Sequence, residues 1–247
     1  MPPTRAVLLR ANNASEWTGP TGNNTWLLPG PPSVLIDAGT GDRAHIDAIA
    51  QRLGDAPLDL VLITHHHVDH AAGAPALLAR WPALVVRGGG AGAHLTDGET
   101  FACGGTILRA VFTPGHAPDH FGFFDEHSRE IYCGDLARSG GTVVIPASRG
   151  GDLDQYLHSL DRIRDLRPSR LLPAHGPVIE DPAGLIETYI RHRHQRHAEI
   201  LTAVAEGLHS PAAIVSRVYP DLPGSLVPAA EDTVLAHLRY AHGDRST

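Results

Sequence analysis

Residues 65–70 read His65-His66-His67-Val68-Asp69-His70, a concentration of imidazole and carboxylate that comes directly after the apolar run Leu58 to Ile63 and Thr64. A buried strand ending in such a loop presents its polar side chains at the strand's C-terminal mouth. Spacings of two and three residues let His65 and His67 converge on one metal ion while Asp69 and His70 turn toward a neighbouring point. Imidazole and carboxylate together suit zinc, and iron or manganese accept similar donors. Three later fragments repeat the pattern of an apolar strand closed by a turn that carries one metal-binding residue. They are Thr113-Pro114-Gly115-His116, Cys133-Gly134-Asp135 and Leu172-Pro173-Ala174-His175-Gly176. Five histidines and two aspartates suffice for two metals with one shared carboxylate, leaving room for a bridging hydroxide.

The elements that must position these residues are legible from periodicity. Ala6 to Arg10, Thr25 to Leu28 and Val34 to Asp37 read as hairpin-linked strands separated by Asn, Gly and Pro turns. A helix is expected at Ala44 to Leu53, a buried strand at Leu58 to Ile63 and a second helix at Ala71 to Trp81. More strands are expected at Leu84 to Arg87, Thr106 to Phe112, Phe121 to Phe124, Ile131 to Cys133 and Thr142 to Ile145. A helix at Leu153 to Leu166 and a strand at Arg170 to Leu172 close this part, so the pattern is two sheets with helices packed outside. From Pro182 onward only helices are expected: one through Gly207, one from Pro211 to Tyr219 and one from Pro228 to His242. The long helix places Arg193 and His197 in an otherwise apolar row, where such residues need partners.

Composition narrows the chemistry. The chain has 247 residues and a net charge of -7, and its 20 basic residues are all arginine. Without lysine there is no P-loop lysine and no Schiff-base chemistry, and the acidic balance argues against a generic polyanion binder. The 17 histidines are the most unusual feature. Two cysteines, Cys103 and Cys133, form no CxxC pair and no disulfide framework. No apolar run is long enough to cross a bilayer, so no membrane partner is expected. The N-terminus, Met1 to Arg5, leads into a strand without the apolar segment of a signal peptide, and a cytoplasmic protein is expected.

The ligand pattern resembles the metallo-β-lactamase superfamily, whose HxHxDH motif stands here as His65, His67, Asp69 and His70, with the later single ligands in order. The resemblance implies a four-layer αββα sandwich, with the dinuclear site on the edge between the sheets. By that match one metal takes His65, His67 and His116, the other takes Asp69, His70 and His175, and Asp135 bridges. The chain looks closest to the lactamase-beta-2-like branch, over roughly residues 20 to 240. Gly22-Asn23-Asn24-Thr25-Trp26-Leu27 resembles that branch's GTNTYL strand, residues 151–160 its GDLxxYLxSL helix start, and Tyr189-Ile190 with His192-Arg193 and Arg196 its YIxHRxxR segment. It implies a metallo-β-lactamase-like domain over residues 1–181 and a C-terminal helical, degenerate winged-helix-like domain over 182–247 that lacks a full wing hairpin.

The function this resemblance implies is that of a zinc-dependent hydrolase with two zinc ions per chain, a metal-bridging hydroxide as nucleophile and Asp69 as the catalytic carboxylate. His66 should point away from the metals, and His120 is expected to contact substrate. Asn24 and Thr25 are candidates for the site floor, and Cys133 reads as a small buried residue. The expected substrate is a small acyl compound such as an ester, thioester or lactone. Endoribonuclease action on single-stranded RNA is the alternative, favoured locally by the Arg/His cluster 191–197 and opposed by the acidic charge. A third reading makes the metal core a scaffold and the tail a binding module. The expected assembly is a monomer or homodimer.

Overall fold

A computed structural model describes residues 5–90 and 92–243 of the chain. The expectations placed on Met1 to Thr4 and on the last residues to Thr247 lie outside the described residues. In chain order the elements are β1 (Val7–Arg10), β2 (Asn24–Leu28), β3 (Val34–Ile36), α1 (Arg43–Leu53), β4 (Leu60–Ile63), α2 (Val68–Ala71), α3 (Ala74–Arg80), β5 (Val85–Gly88), β6 (Thr100–Cys103) and β7 (Thr106–Phe112). After these come β8 (Phe121–Asp125), β9 (Glu130–Gly134), α4 (Leu153–Leu166), β10 (Arg170–Pro173), α5 (Pro182–Ala205), α6 (Pro211–Val218) and α7 (Val227–His242).

The strands form two five-stranded sheets, ordered β1-β2-β3-β4-β5 and β10-β9-β8-β7-β6. Alternation along the strands decides what each face buries. Trp26, Leu28, Val34, Ile36 and Leu62 of the first sheet meet Phe101, Leu108, Phe123 and Tyr132 of the second in the inter-sheet core. Their neighbours Leu27, Leu35, Val61 and Ile63 point to the other side and pack on Ile49 and Leu53 of α1 and Leu77 of α3. On the far face of the second sheet, Val111, Phe124, Ile131 and Leu171 are covered by Tyr156, Leu160 and Ile163 of α4, by Ile186 and Tyr189 of α5 and by Ala236 of α7. The expected αββα layering is therefore present. The outer halves of α5, α6 and α7 add a separate small core of Ile200, Ala203, Ile214, Val215 and Val234, and no strand follows β10 among the described residues.

Three expectations need correction. Thr142 to Ile145 is not a strand: the run lies outside both sheets, and its backbone groups bond to side chains of other elements. The edge strand β6 is an addition to the expected set; its register on β7 pairs Thr100 with Arg109 and Cys103 with Thr106. The helix expected at Ala71 to Trp81 is α3, shorter at its start and with Pro in its first turn, and the ligand segment before it forms a short helix of its own, α2.

Strand direction explains why one edge carries the chemistry. β3 and β4 are parallel, as are β9 and β10, and two antiparallel steps through β8 make β7 run with β9. The loops after β3, β4, β7, β9 and β10 therefore all leave at one end of the sandwich. Hydrogen bonds tie the two sheets there, from Phe121 N to Thr64 O at 2.8 Å and from Asn24 N to Ala174 O at 2.7 Å.

His45 of α1 is buried beneath this edge, its Nε2 2.8 Å from Thr25 Oγ1. Burial pushes its pKa down from 6.5 to about 4, against the opposing pull of Asp42. Between those values the unfolded chain binds a proton that the folded chain refuses, so this stabilisation is complete above about 6.5 and is lost as pH falls toward 4. His45→Gln is expected to flatten the pH dependence of stability over that window, measured by urea unfolding of metal-stripped protein; an unchanged slope contradicts the assignment.

Candidate metal centre

His65 and His67 leave the end of β4, with His67 capping α2, while Asp69 and His70 occupy that short helix. His116 lies beyond β7, Asp135 beyond β9 and His175 beyond β10. All seven meet. His65, His67 and His116 place donor atoms within 4.8 Å of one another, as do His65, His70 and Asp135, and Asp69, His70 and His175. His67 Nδ1 lies 2.9 Å from His65 Nε2 and 3.0 Å from His116 Nε2. On the other side, Asp69 Oδ2 is 3.5 Å from both His70 Nε2 and His175 Nε2. Asp135 stands between: Oδ2 is 3.4 Å from His116 Nε2, while Oδ1 is 3.1 Å from His175 Nε2 and 3.6 Å from His70 Nε2.

This donor set fits a divalent ion better than it fits itself. His70 Nε2 and Asp135 Oδ1 are buried, face each other and have no hydrogen bond. Three imidazole nitrogens crowd at His67 Nδ1, where a neutral ring can make one hydrogen bond. A divalent cation seated among such atoms satisfies them together.

The electrostatics reflect burial and partners. Burial would raise the Asp135 carboxyl, but His175 and His70 hold it well below the usual carboxylate range. Burial opposes charge on His70, yet Asp37 and Asp135 outweigh it and raise its pKa well above normal. Desolvation, reinforced by neighbouring imidazoles, lowers His65 strongly and brings His67 to about 4, which keeps these rings neutral and able to ligate.

A surrounding layer fixes the donors. Asp37, at the end of β3, accepts from Thr64 N at 2.8 Å, from Thr64 Oγ1 at 3.0 Å and from His70 Nδ1 at 2.8 Å. Its backbone takes a positive φ of 63° to do so. Asn23 donates through Nδ2 to Asp69 Oδ2 at 3.0 Å, and Asn24 donates to Pro173 O and Gly176 O on either side of His175. Asn24 thus braces the loop that carries His175, whereas Thr25 bonds to His45 of α1. Asp37 and Asn23 are functional residues that the sequence reading misses. Asp37 carries the usable signal, a carboxylate at a strand end before Ala38-Gly39-Thr40-Gly41, like the ligand turns themselves.

His120, expected to meet substrate, is instead fully buried. Asp135 N donates to its Nε2 at 3.1 Å, so the ring proton sits on Nδ1, 2.8 Å from Thr113 Oγ1. Both nitrogens are occupied, and burial brings the pKa down to about 3, consistent with this neutral ring. The same approach explains Gly134, where a Cβ would stand 2.6 Å from His120 Nε2. His66 points outward to Asp119, 2.7 Å away. Cys133 is buried, and burial pushes its thiol up to about 12.

Asp37 accepts from three donors at once, and an asparagine there keeps the shape but presents an NH2 to one of them. Asp37→Asn is expected to weaken metal binding by roughly 10-fold or more, measured by chelator competition; wild-type affinity contradicts the orienting role.

Residues 18–175, more than half of the chain, match the model of the metallo-beta-lactamase superfamily, and residues 210–239 match the beta-lactamase associated winged helix domain. The chain is similar to the lactamase-like protein vrtG of Penicillium aethiopicum, 35% identical over 209 residues that cover 81% of this chain and 66% of that protein. It thus spans about two thirds of vrtG's length. It is also similar to the beta-lactamase-like protein 2 homolog of Drosophila melanogaster, 34% identical over 244 residues covering 88% of this chain and 81% of that one. Among solved structures, a metallo-beta-lactamase family protein from Thermus thermophilus shares the fold with a TM-score of 0.81 at 22% identity, covering 97% of this chain and 93% of that one. A further structure, solved in a di-iron-bound form, has a TM-score of 0.57 at 28% identity and covers 69% and 95%. With sequence, layering and ligand loops in agreement, the chain belongs to the metallo-β-lactamase superfamily.

Proposed function

We propose that the chain is a dinuclear hydrolase, with zinc as the ion its five imidazoles favour, acting on a small acyl compound such as an ester, thioester or lactone. The observation that carries this reading is the placement of Asp135, whose two oxygens face two different donor sets. In this reading His65, His67 and His116 would hold one ion, Asp69, His70 and His175 would hold the second, and Asp135 would serve both. The di-iron form of a structural relative supports occupancy by two ions and keeps iron as the alternative. Ions bound there would supply a water of lowered pKa and polarise the bond to be cleaved.

The protein's own residues do the rest. Asp69 is the more open of the two carboxylates, with 29% of its side chain exposed against 14% for Asp135. A proton accepted at Asp69 can therefore pass to solvent, while Asn23 keeps Oδ2 aimed at the donor set. His120 positions Asp135 through its backbone rather than touching substrate. Cys133 is too buried and too weakly acidic to serve as a nucleophile, which favours attack by water.

An acyl substrate is preferred to RNA because the cluster 191–197 is largely committed to internal contacts. Arg193 is buried, Arg196 pairs with Glu199 and lies over the Tyr219 ring, and His197 stacks on His237. Little of that cationic surface is left for a phosphate backbone. In the same proposal, residues 1–181 form the catalytic unit and 182–247 the helical one.

The test pairs metal analysis with turnover of an aryl ester, a thioester, a lactone and a single-stranded RNA. Two metal equivalents and acyl hydrolysis that is abolished by a chelator and restored by Zn2+ are expected, with Asp69→Ala lowering kcat by about 100-fold or more. Preferential, strongly salt-dependent RNA cleavage would replace the acyl reading, and fewer than one metal equivalent would overturn the dinuclear one.

A further inference from the structure

Residues 142–146 form an irregular strap between β9 and α4, so their backbone groups must be satisfied by other parts of the fold. One of those partners is in the metal centre. His116 Nδ1 donates to Val144 O at 2.8 Å, which leaves Nε2 to face the other donors. The groups on either side of Val144 are held by the C-terminal helices. Arg193 of α5 donates to Val143 O, and Ile145 N donates to Thr233 Oγ1 of α7 at 3.3 Å. Further along, Arg239 donates to Ala147 O at 2.8 Å, and the Asp232 carboxylate accepts from Ser148 N at 2.9 Å and from Ser148 Oγ at 2.7 Å.

Arg193 is itself tightly placed. It is 2% exposed, and its guanidinium lies 5.3 Å from the centre of the Tyr156 ring. The Tyr156 hydroxyl donates to Leu136 O at 2.6 Å, one residue beyond Asp135. Gly115, beside His116, packs so closely on Tyr156 that a Cβ there would meet its backbone at 2.4 Å. The same buried unit therefore touches the loops that carry two of the donors.

We infer that Arg193 and Thr233 are positioning residues for His116: by holding the strap on both sides of Val144, they set the orientation of the imidazole and make the C-terminal helices part of the three-histidine metal site. The acceptor on the remote nitrogen of a ligating histidine fixes its tautomer and aim, and losing that partner lowers metal affinity. Here the acceptor is a carbonyl in a segment with no sheet of its own, so the aim is only as good as the grip of α5 and α7. This inference rests on the two-ion reading proposed above.

The test uses the full chain, with Zn2+ and Co2+ as probes. Thr233→Val keeps the side-chain shape and removes the acceptor, and Arg193→Met removes the donor. Each is expected to weaken one of the two Zn2+ equivalents by roughly 10-fold or more in competition with a chromophoric chelator. The other equivalent should stay within about twofold. The Co2+ absorption bands should shift, and Thr233→Ser should restore both readouts. If Arg193→Met does not fold, Thr233→Val decides. Wild-type affinity for both equivalents with an unchanged Co2+ spectrum overturns the inference, even where the metal-free Tm falls, because a merely structural role would move only the Tm. A wild-type chain that binds no Zn2+ overturns the two-ion reading, and this inference with it.

Discussion

A carboxylate removed from water must be matched by hydrogen-bond donors or opposite charge, and Asp135 sets that requirement for the whole sheet edge. Imidazoles reach it from both donor sets: His116 on one side, His70 and His175 on the other. Two of those rings are tied behind, His70 to Asp37 and His116 to Val144 O. The position of Asp135 is in turn fixed through its backbone by His120, which can approach only because residue 134 is glycine. The two sheets are joined at this edge by backbone bonds, so the scaffold holds the donors as a preformed cluster.

The seven donors are legible in the sequence because each comes after an apolar strand and because strand direction brings those ends together. The two-sheet layering is legible for the same reason, from runs such as Leu60 to Ile63 with period-two neighbours. Tertiary partnership is the part that local sequence does not carry. Val143, Val144 and Ile145 have the composition of a strand, yet their backbone groups go to His116, Arg193 and Thr233. Thr100-Phe101-Ala102-Cys103 is too short and mixed to announce itself, and it becomes a strand only by adding to the edge of β7. Asp37 acquires a role only when His70 is seen beside it, and the inward turn of His120 depends on Thr113 and on Asp135 N. By contrast, the demand of Arg193 and His197 for partners is visible in the helix stripe, and the fold meets it with Val143 O, the Tyr156 ring and His237.

The C-terminal helices consequently belong to two structures at once. Their outer halves bury Ile200, Ile214 and Val234 in a core of their own, while Ile186, Tyr189 and Ala236 complete the core beneath the second sheet. The match to a winged helix domain describes the helices, and no strand pair accompanies them among the described residues. Arg193 and Arg196 turn inward, to the strap and to Tyr219, rather than outward as a polyanion surface. A role in shaping the metal centre accounts for the inward turn of Arg193, and packing within the helical unit for that of Arg196, better than recruitment of RNA does.

The central claim is that two ions share Asp135. Anomalous diffraction from crystals of the zinc-loaded chain, collected on either side of the zinc edge, tests it most directly. The account predicts two peaks, one among His65, His67 and His116 and one among Asp69, His70 and His175, with the Asp135 carboxylate between them. A single peak, or a pair from which Asp135 has turned away, would contradict it.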